Sequence, residues 1–249
     1  MEETTIGYWV AAGIAAVLVG MSKGGLPVVG ILAVPVLSLF IPPVTAAGLL
    51  LPVYIVSDVF GLYAYRKEFD SRVLLILAPA ATIGIAVGWA TASLVPESAV
   101  TGLVGTIGLA FSLNLLLRRG GPGAPRRAEI APGLFWGTIT GFTSFVSHAG
   151  GPPYQVYVLP LRLEKAVFAG TSTVLFAYVN AVKLIPYWAL GQLNTSNLKV
   201  AATLMIPASL AVFAGVRLVR VLPPVLFFRL VTWALFAVSV KLLWDAATG

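Results

Sequence analysis

The sequence predicts an all-α polytopic membrane protein made of two inverted repeats, each a broken-helix hairpin followed by three transmembrane helices. Three observations predict this. First, 59% of the 249 residues are hydrophobic and only 10% are charged, against roughly 25% charged in soluble domains; apolar stretches of about 20 residues recur along the chain. Second, two helix-breaking motifs interrupt apolar sequence in corresponding places: Met21-Ser22-Lys23-Gly24-Gly25-Leu26-Pro27 and Ser147-His148-Ala149-Gly150-Gly151-Pro152-Pro153. Third, a stretch rich in Gly, Pro and Arg at 118–130 divides the chain near its middle, as a linker would. The expected units are a first repeat at 1–117, the basic cytoplasmic linker at 118–130 and a second repeat at 131–249, all within one integral membrane domain.

The N-terminus, Met1-Glu2-Glu3, is acidic and lacks the basic n-region of a signal peptide. The first apolar segment is therefore expected to stay in the mature protein. Residues 6–22 form one arm and 26–40 a second, separated by Gly24-Gly25. Arms of this length reach roughly 22–26 Å as helix, marginal for a hydrocarbon core of about 30 Å. Spans follow at 44–65, 73–94 and 98–117. After the linker the pattern repeats, with arms at 131–147 and 153–161 and spans at 166–190, 198–218 and 224–245.

The halves correspond in detail. Gly24-Gly25-Leu26-Pro27 answers Gly150-Gly151-Pro152-Pro153, Thr45-Ala46-Ala47-Gly48 answers Val167-Phe168-Ala169-Gly170, and Asp58 answers Asn180. Gly25 lies 71 positions before Pro96 and Gly151 lies 72 before Pro223. Breakers and polar residues align, not only leucines.

Basic residues test the topology. If each broken segment returns to its starting side, the loops at 66–72, 118–130, 162–165 and 217–224 share one side. That side collects Arg66, Lys67, Arg72, Arg118, Arg119, Arg126, Arg127, Arg162, Lys165, Arg217 and Arg220. If each broken segment crossed once, this segregation would be lost. The hairpin reading places both termini outside the cytoplasm. Each half then crosses three times, an odd number, so the second half is inverted, as in many secondary transporters. The formal charge of +7 orients the protein and calls for no nucleic acid partner.

Glycine supplies the φ freedom that a reversal within the membrane needs, and proline at a first helical position forfeits only an N–H that would be unpaired anyway. Each second arm would start with free N–H groups and a positive dipole end facing a cavity, an anion site built from backbone. Lys23 places a cation beside one start and His148, the single histidine, a switchable charge beside the other. Each has a simpler reading: Lys23 could snorkel to an interface and His148 could bond a neighbouring helix. Ser22, Ser144 and Ser147 can meet freed carbonyls or substrate. Asp58 lies inside a span, with Asn180 as its mate and Lys183 three residues on. A buried Asp58–Lys183 ion pair and a coupling site are both open readings. Tyr54, Tyr154, Tyr157, Tyr178 and Gln155 cluster near the breaks, whereas Tyr8, Trp9, Trp89, Trp188 and Trp244 read as interfacial belt residues.

The paired Gly-Gly-x-Pro breaks, the two four-segment halves and the basic central linker resemble the TauE/SafE family of sulfite and organosulfonate exporters. The most specific motifs are Gly24-Gly25-Leu26-Pro27 with Pro35 behind it, and Gly150-Gly151-Pro152-Pro153 with Asn180 downstream. The resemblance implies transport of small sulfur oxyanions or sulfonates, typically outward across a bacterial inner membrane. Lys23 precedes the first Gly-Gly and Ala149 the second, so the two breaks are chemically unequal. The absence of cysteine sets the chain apart from distantly similar thiosulfate-uptake proteins.

These readings converge on a secondary carrier of a small anion working by alternating access, with proton or membrane-potential coupling. The expected substrate-binding residues are Ser22, Lys23, Gly24, Gly25, Pro27, Ser147, His148, Gly150, Gly151, Tyr154, Gln155 and Asn180. Asp58, His148 and Lys183 are the expected coupling residues. No Walker-type nucleotide motif is present, and no cofactor or metal is called for. One histidine without a His/Asp/Glu cluster argues against an intramembrane enzyme. A carrier of another small organic acid anion and a non-transporting scaffold subunit are the rival readings. A homo-oligomer is compatible with the sequence.

Overall fold

A computed structural model describes residues 6–27, 29–91, 94, 96–117, 124–190 and 195–248. Among them are ten α-helices and no strand: α1 (Ile6–Lys23), α2 (Ala33–Leu37), α3 (Pro43–Ala64), α4 (Ser71–Ala90), α5 (Glu97–Leu117), α6 (Ile130–Ser147), α7 (Gly151–Val158), α8 (Lys165–Ala189), α9 (Thr195–Val221) and α10 (Pro224–Thr248). Seven are long and apolar enough to cross a membrane: α1, α3, α4, α5, α8, α9 and α10. The all-α polytopic class is therefore correct. Arg118, Arg119 and the Gly-Pro run after them lie outside the described residues.

Local chemistry sets the helix ends. Pro43 opens α3 in the first turn, where a missing N–H costs nothing. Asp70 caps α4, its carboxylate accepting from the Val73 N–H at 2.9 Å, the usual role of an N-cap aspartate. Pro52, Pro79, Pro186 and Pro207 sit inside long helices, where neighbouring helices can re-satisfy the freed backbone groups.

Both breaks appear, with different second arms. α1 ends at Lys23, and Gly25 adopts φ +104°, a conformation glycine takes without Cβ strain. Beyond it lie a 3₁₀ turn at Val29–Leu32 and the five-residue α2, not the continuous helix expected over 26–40. Gly30 and Pro35 explain the interruption. Gly30 packs on Ser22 and Phe40 packs on Gly7, so the chain runs back alongside α1. In the second break, Pro152 and Pro153 lie at the start of the eight-residue α7, as expected. Gly150 packs on Ser144, and the Tyr157 hydroxyl donates to the Glu129 carbonyl at 2.9 Å. This arm also runs back alongside its partner helix.

The helices pair in a reciprocal pattern. α1 packs along α9, and α6 packs along α4; α3 meets both α9 and α8, α8 meets both α4 and α3, and α5 lies on α10. If α1, α3, α4 and α5 are matched with α6, α8, α9 and α10, every one of these pairings maps onto another or onto itself. Small residues make the long crossings close. Gly20 and Gly24 of α1's end abut the Ala208 carbonyl and Gly215 of α9, while Gly141 of α6 abuts the Ala81 carbonyl of α4. Such contacts are the usual basis of close helix packing in lipid.

The basic loops meet at one end of the bundle. Arg72 Nε donates to the Ala128 carbonyl at 3.0 Å, and the Arg126 N–H donates to the Pro160 carbonyl at 3.0 Å. Lys165 Nζ donates to the carbonyls of Arg220 and Leu222 at 2.9 and 2.6 Å. The loops that the charge distribution assigns to one side are thus in contact. Tyr8 departs from expectation: it is fully buried among Ala12, Val34, Leu37 and their neighbours rather than interfacial. Its position two residues into α1 faces the returning arm, so packing overrides the belt role. Trp9, Trp89, Trp188 and Trp244 do face outward.

Candidate functional site

The two breaks both contact the N-terminal half of α8. Gly25 lies beside Ala169 and Gly150 beside Phe176, seven residues apart, or about 10 Å along a helix. Between them is a cavity of about 50 Å³, several times the ~10–15 Å³ one water requires.

Freed backbone carbonyls of the first break are met by hydroxyls. Thr173 Oγ1 donates to Lys23 O at 3.1 Å, Tyr65 to Gly24 O at 2.7 Å and Tyr54 to Gly30 O at 2.9 Å. Non-helical backbone is sustained this way within a membrane. The N–H groups of Gly25 and Leu26 turn back to the carbonyls of Ser22 and Met21, both at 3.3 Å. They close α1 rather than facing the cavity, so the first break offers a lysine where an array of free backbone donors was expected. In the second break His148 is left-handed (φ 53°) and its N–H, like that of Ala149, bonds the Thr143 carbonyl. A non-glycine residue in this region is uncommon, and the conformation brings the His148 ring to Tyr187, Nε2 to hydroxyl at 2.6 Å.

The charges sort into one pair and one extra cation. Lys23 Nζ lies 2.7 Å from Asp58 Oδ1, with both side chains about 95% buried. Asn180 Nδ2 donates to the other carboxylate oxygen at 2.8 Å. The Asp58–Lys183 pair considered from sequence is therefore not the pair formed: Lys23 reaches Asp58 across the α1–α3 contact. Lys183, 2% exposed, donates to the Ser144 carbonyl at 2.9 Å and lies 3.4 Å from its hydroxyl. Its Nζ also sits 5.6 Å from the Tyr187 ring centroid. Among the described residues no carboxylate forms an ion pair with it, and no group of three or more His, Asp or Glu residues is placed to hold a metal.

Of the residues expected to bind substrate, Ser22, Lys23, Pro27, His148, Gly151 and Asn180 line the cavity, together with Lys183. Gly24 is packed against α9, Gly25 against Tyr65 and Val219, and Gly150 against Ser144 and Phe176; these three shape the wall without facing the space. Ser147 bonds its own helix at Thr143 O, 3.2 Å. Tyr154 and Gln155 are fully buried and outside the lining. Asp58 stands behind Lys23. Tyr178 points outward, bonded to Thr82 at 2.7 Å.

Ser172, Thr173, Phe176 and Ile31 line the cavity and were not identified from sequence, nor was Tyr187. Two signals carry them. Thr171-Ser172-Thr173 is a hydroxyl run inside an apolar span, and Tyr187 follows Lys183 by four residues, on the same helix face.

A family model described as Sulfite exporter TauE/SafE matches residues 9–242. No curated protein and no solved structure matches the chain. The family is one of membrane transporters rather than enzymes. With the match covering nearly the whole sequence, the chain belongs to the sulfite exporter TauE/SafE family.

Proposed function

We propose that this protein exports a small oxyanion, sulfite or a small organosulfonate, by alternating access between two inverted halves at 1–117 and 131–249. The observation that carries the reading is Lys183: a buried lysine on a cavity wall, with no carboxylate of its own. A lone charge at membrane depth is expensive and marks a functional position. Lys23 and Asp58 are paired with each other, which leaves Lys183 without a counter-charge, and a bound anion would supply one. Asn180, Ser172 and Thr173 supply further polar groups on the wall, as does His148, whose ring is bonded to Tyr187. A cavity of about 50 Å³ favours the smaller members of the substrate class, sulfite above taurine-sized sulfonates.

Inversion is supported by the loops. Lys165 ties the α9–α10 connection to the basic end of the bundle, which is also where α4 begins. The matching α4–α5 connection lies at the other end of α4, so corresponding loops fall on opposite sides. The positive-inside rule makes the basic end cytoplasmic, in a bacterial inner membrane, with both termini on the other face. His148 and Asp58 are the groups available to couple anion movement to protons, and the anion's charge makes flux responsive to membrane potential. Sulfite flux into proteoliposomes holding the purified protein tests the reading. Wild type is expected to support flux and K183M to lose most of it; equal flux in both would discard this site.

A further inference from the structure

A second basic feature lies at one end of the spans. Arg72, in the first turn of α4, and Arg126 and Arg127, just ahead of α6, line a cleft of about 350 Å³. Arg72 is fixed by its Nε bond to Ala128, and its two terminal nitrogens have no hydrogen-bond partner among the described residues. The side chains of Arg126 and Arg127 form neither a hydrogen bond nor an ion pair there. The one acidic group on the wall, Asp70, is committed to capping α4 through Val73. Three guanidiniums therefore face a single carboxylate. Leu161 and Leu163 supply an apolar part of the wall.

Residues that only orient a membrane protein need no shared cleft; a loose distribution along the loops would serve. Here two separate chain segments bring three arginines to one concavity, and a third supplies Leu161 and Leu163, at the level where spans α4 and α8 begin. Guanidinium forks match the geometry of phosphate oxygens and favour bidentate bonding. Basic pockets at the cytoplasmic ends of membrane helices suit phosphorylated headgroups.

We propose that the Arg72–Arg126–Arg127 cleft binds a phosphate group, carried by an anionic phospholipid whose acyl-chain side rests against Leu161 and Leu163. Inorganic phosphate shares the chemistry, and the arms of the test separate the two sources. The site is independent of the transport cavity.

The full chain is placed in nanodiscs of phosphatidylcholine alone or with one-fifth phosphatidylglycerol, and separately in detergent with millimolar inorganic phosphate. Thermal unfolding and native mass spectrometry are read. Wild type is expected to gain several degrees with phosphatidylglycerol and to retain the lipid; a gain with phosphate alone would assign the same site to the soluble anion. R126Q/R127Q, which removes no bond of the fold, should lose the gain and weaken binding at least tenfold. R217Q/R229Q removes the same charge elsewhere and should keep it, as should K183M. The proposal is overturned if R217Q/R229Q loses as much as R126Q/R127Q, or if neither anion stabilises the wild type.

Discussion

Asn180 donates its side-chain amide to Asp58 at 2.8 Å, joining α3 and α8 at positions that correspond in the two halves. Mates in a repeat touch only where they lie on the axis relating them. In the inverted arrangement proposed above, this polar centre would lie on the axis relating the halves, which contribute unlike chemistry to it: a carboxylate from one and an amide from the other.

Asp58→Asn should strand Lys23, buried and without its counter-charge. Removing one partner of a buried pair costs about 3–5 kcal/mol, so a large fall in the thermal unfolding midpoint in detergent is expected. The double variant K23M/D58L removes both charges and should recover most of that loss. Recovery of stability without recovery of flux would assign the pair to transport as well as to packing.

Gly20→Ala and Gly141→Ala should each destabilise. The added Cβ would run into the carbonyls of Ala208 and Ala81, backbone atoms that cannot swing aside. Overpacking of this kind costs about 1–3 kcal/mol. Gly13, on the same helix as Gly20, meets nothing within contact distance, so Gly13→Ala should leave the midpoint unchanged or raise it. Thermal scans of the three variants compare the two situations directly.

Tyr65→Phe should cost about 1–3 kcal/mol, the penalty for leaving a buried carbonyl, here that of Gly24, without its donor. Hydrogen exchange at the end of α1 should rise with it. Gly25→Ala adds strain at φ +104° and crowds the same hydroxyl, so it should be worse than Tyr65→Phe in the same assay.

The broad fold was legible because lipid imposes it. Spans, breaks and the sorted arginines follow from the cost of exposing charge and unpaired backbone to hydrocarbon. Asp58 and Asn180 were visible as mates because few polar residues interrupt the spans. The partner of Asp58 was not legible. Lys23 and Lys183 are both within reach in sequence terms, and only the packing of α1 on α3 chooses Lys23. The short second arm of the first break was missed for a similar reason: Gly30 and Pro35 each permit a helix, and their combined effect depends on how the chain lies against α1. Ser172 and Thr173 were hidden in a span whose hydroxyls could equally have bonded their own helix, as Thr140 and Ser239 do.

Lys183 is the residue on which the transport reading stands, and anion binding reads it without the complications of flux. The purified protein is titrated with sulfite, sulfate, taurine, sulfoacetate and acetate, following thermal stabilisation, for wild type, K183R and K183M. Sulfite is expected to stabilise the wild type most, K183R to keep part of the response, and K183M to lose it while unfolding as cooperatively as the wild type. Equal stabilisation of wild type and K183M by sulfite, or stabilisation by acetate alone, would contradict a sulfur-oxyanion site at Lys183.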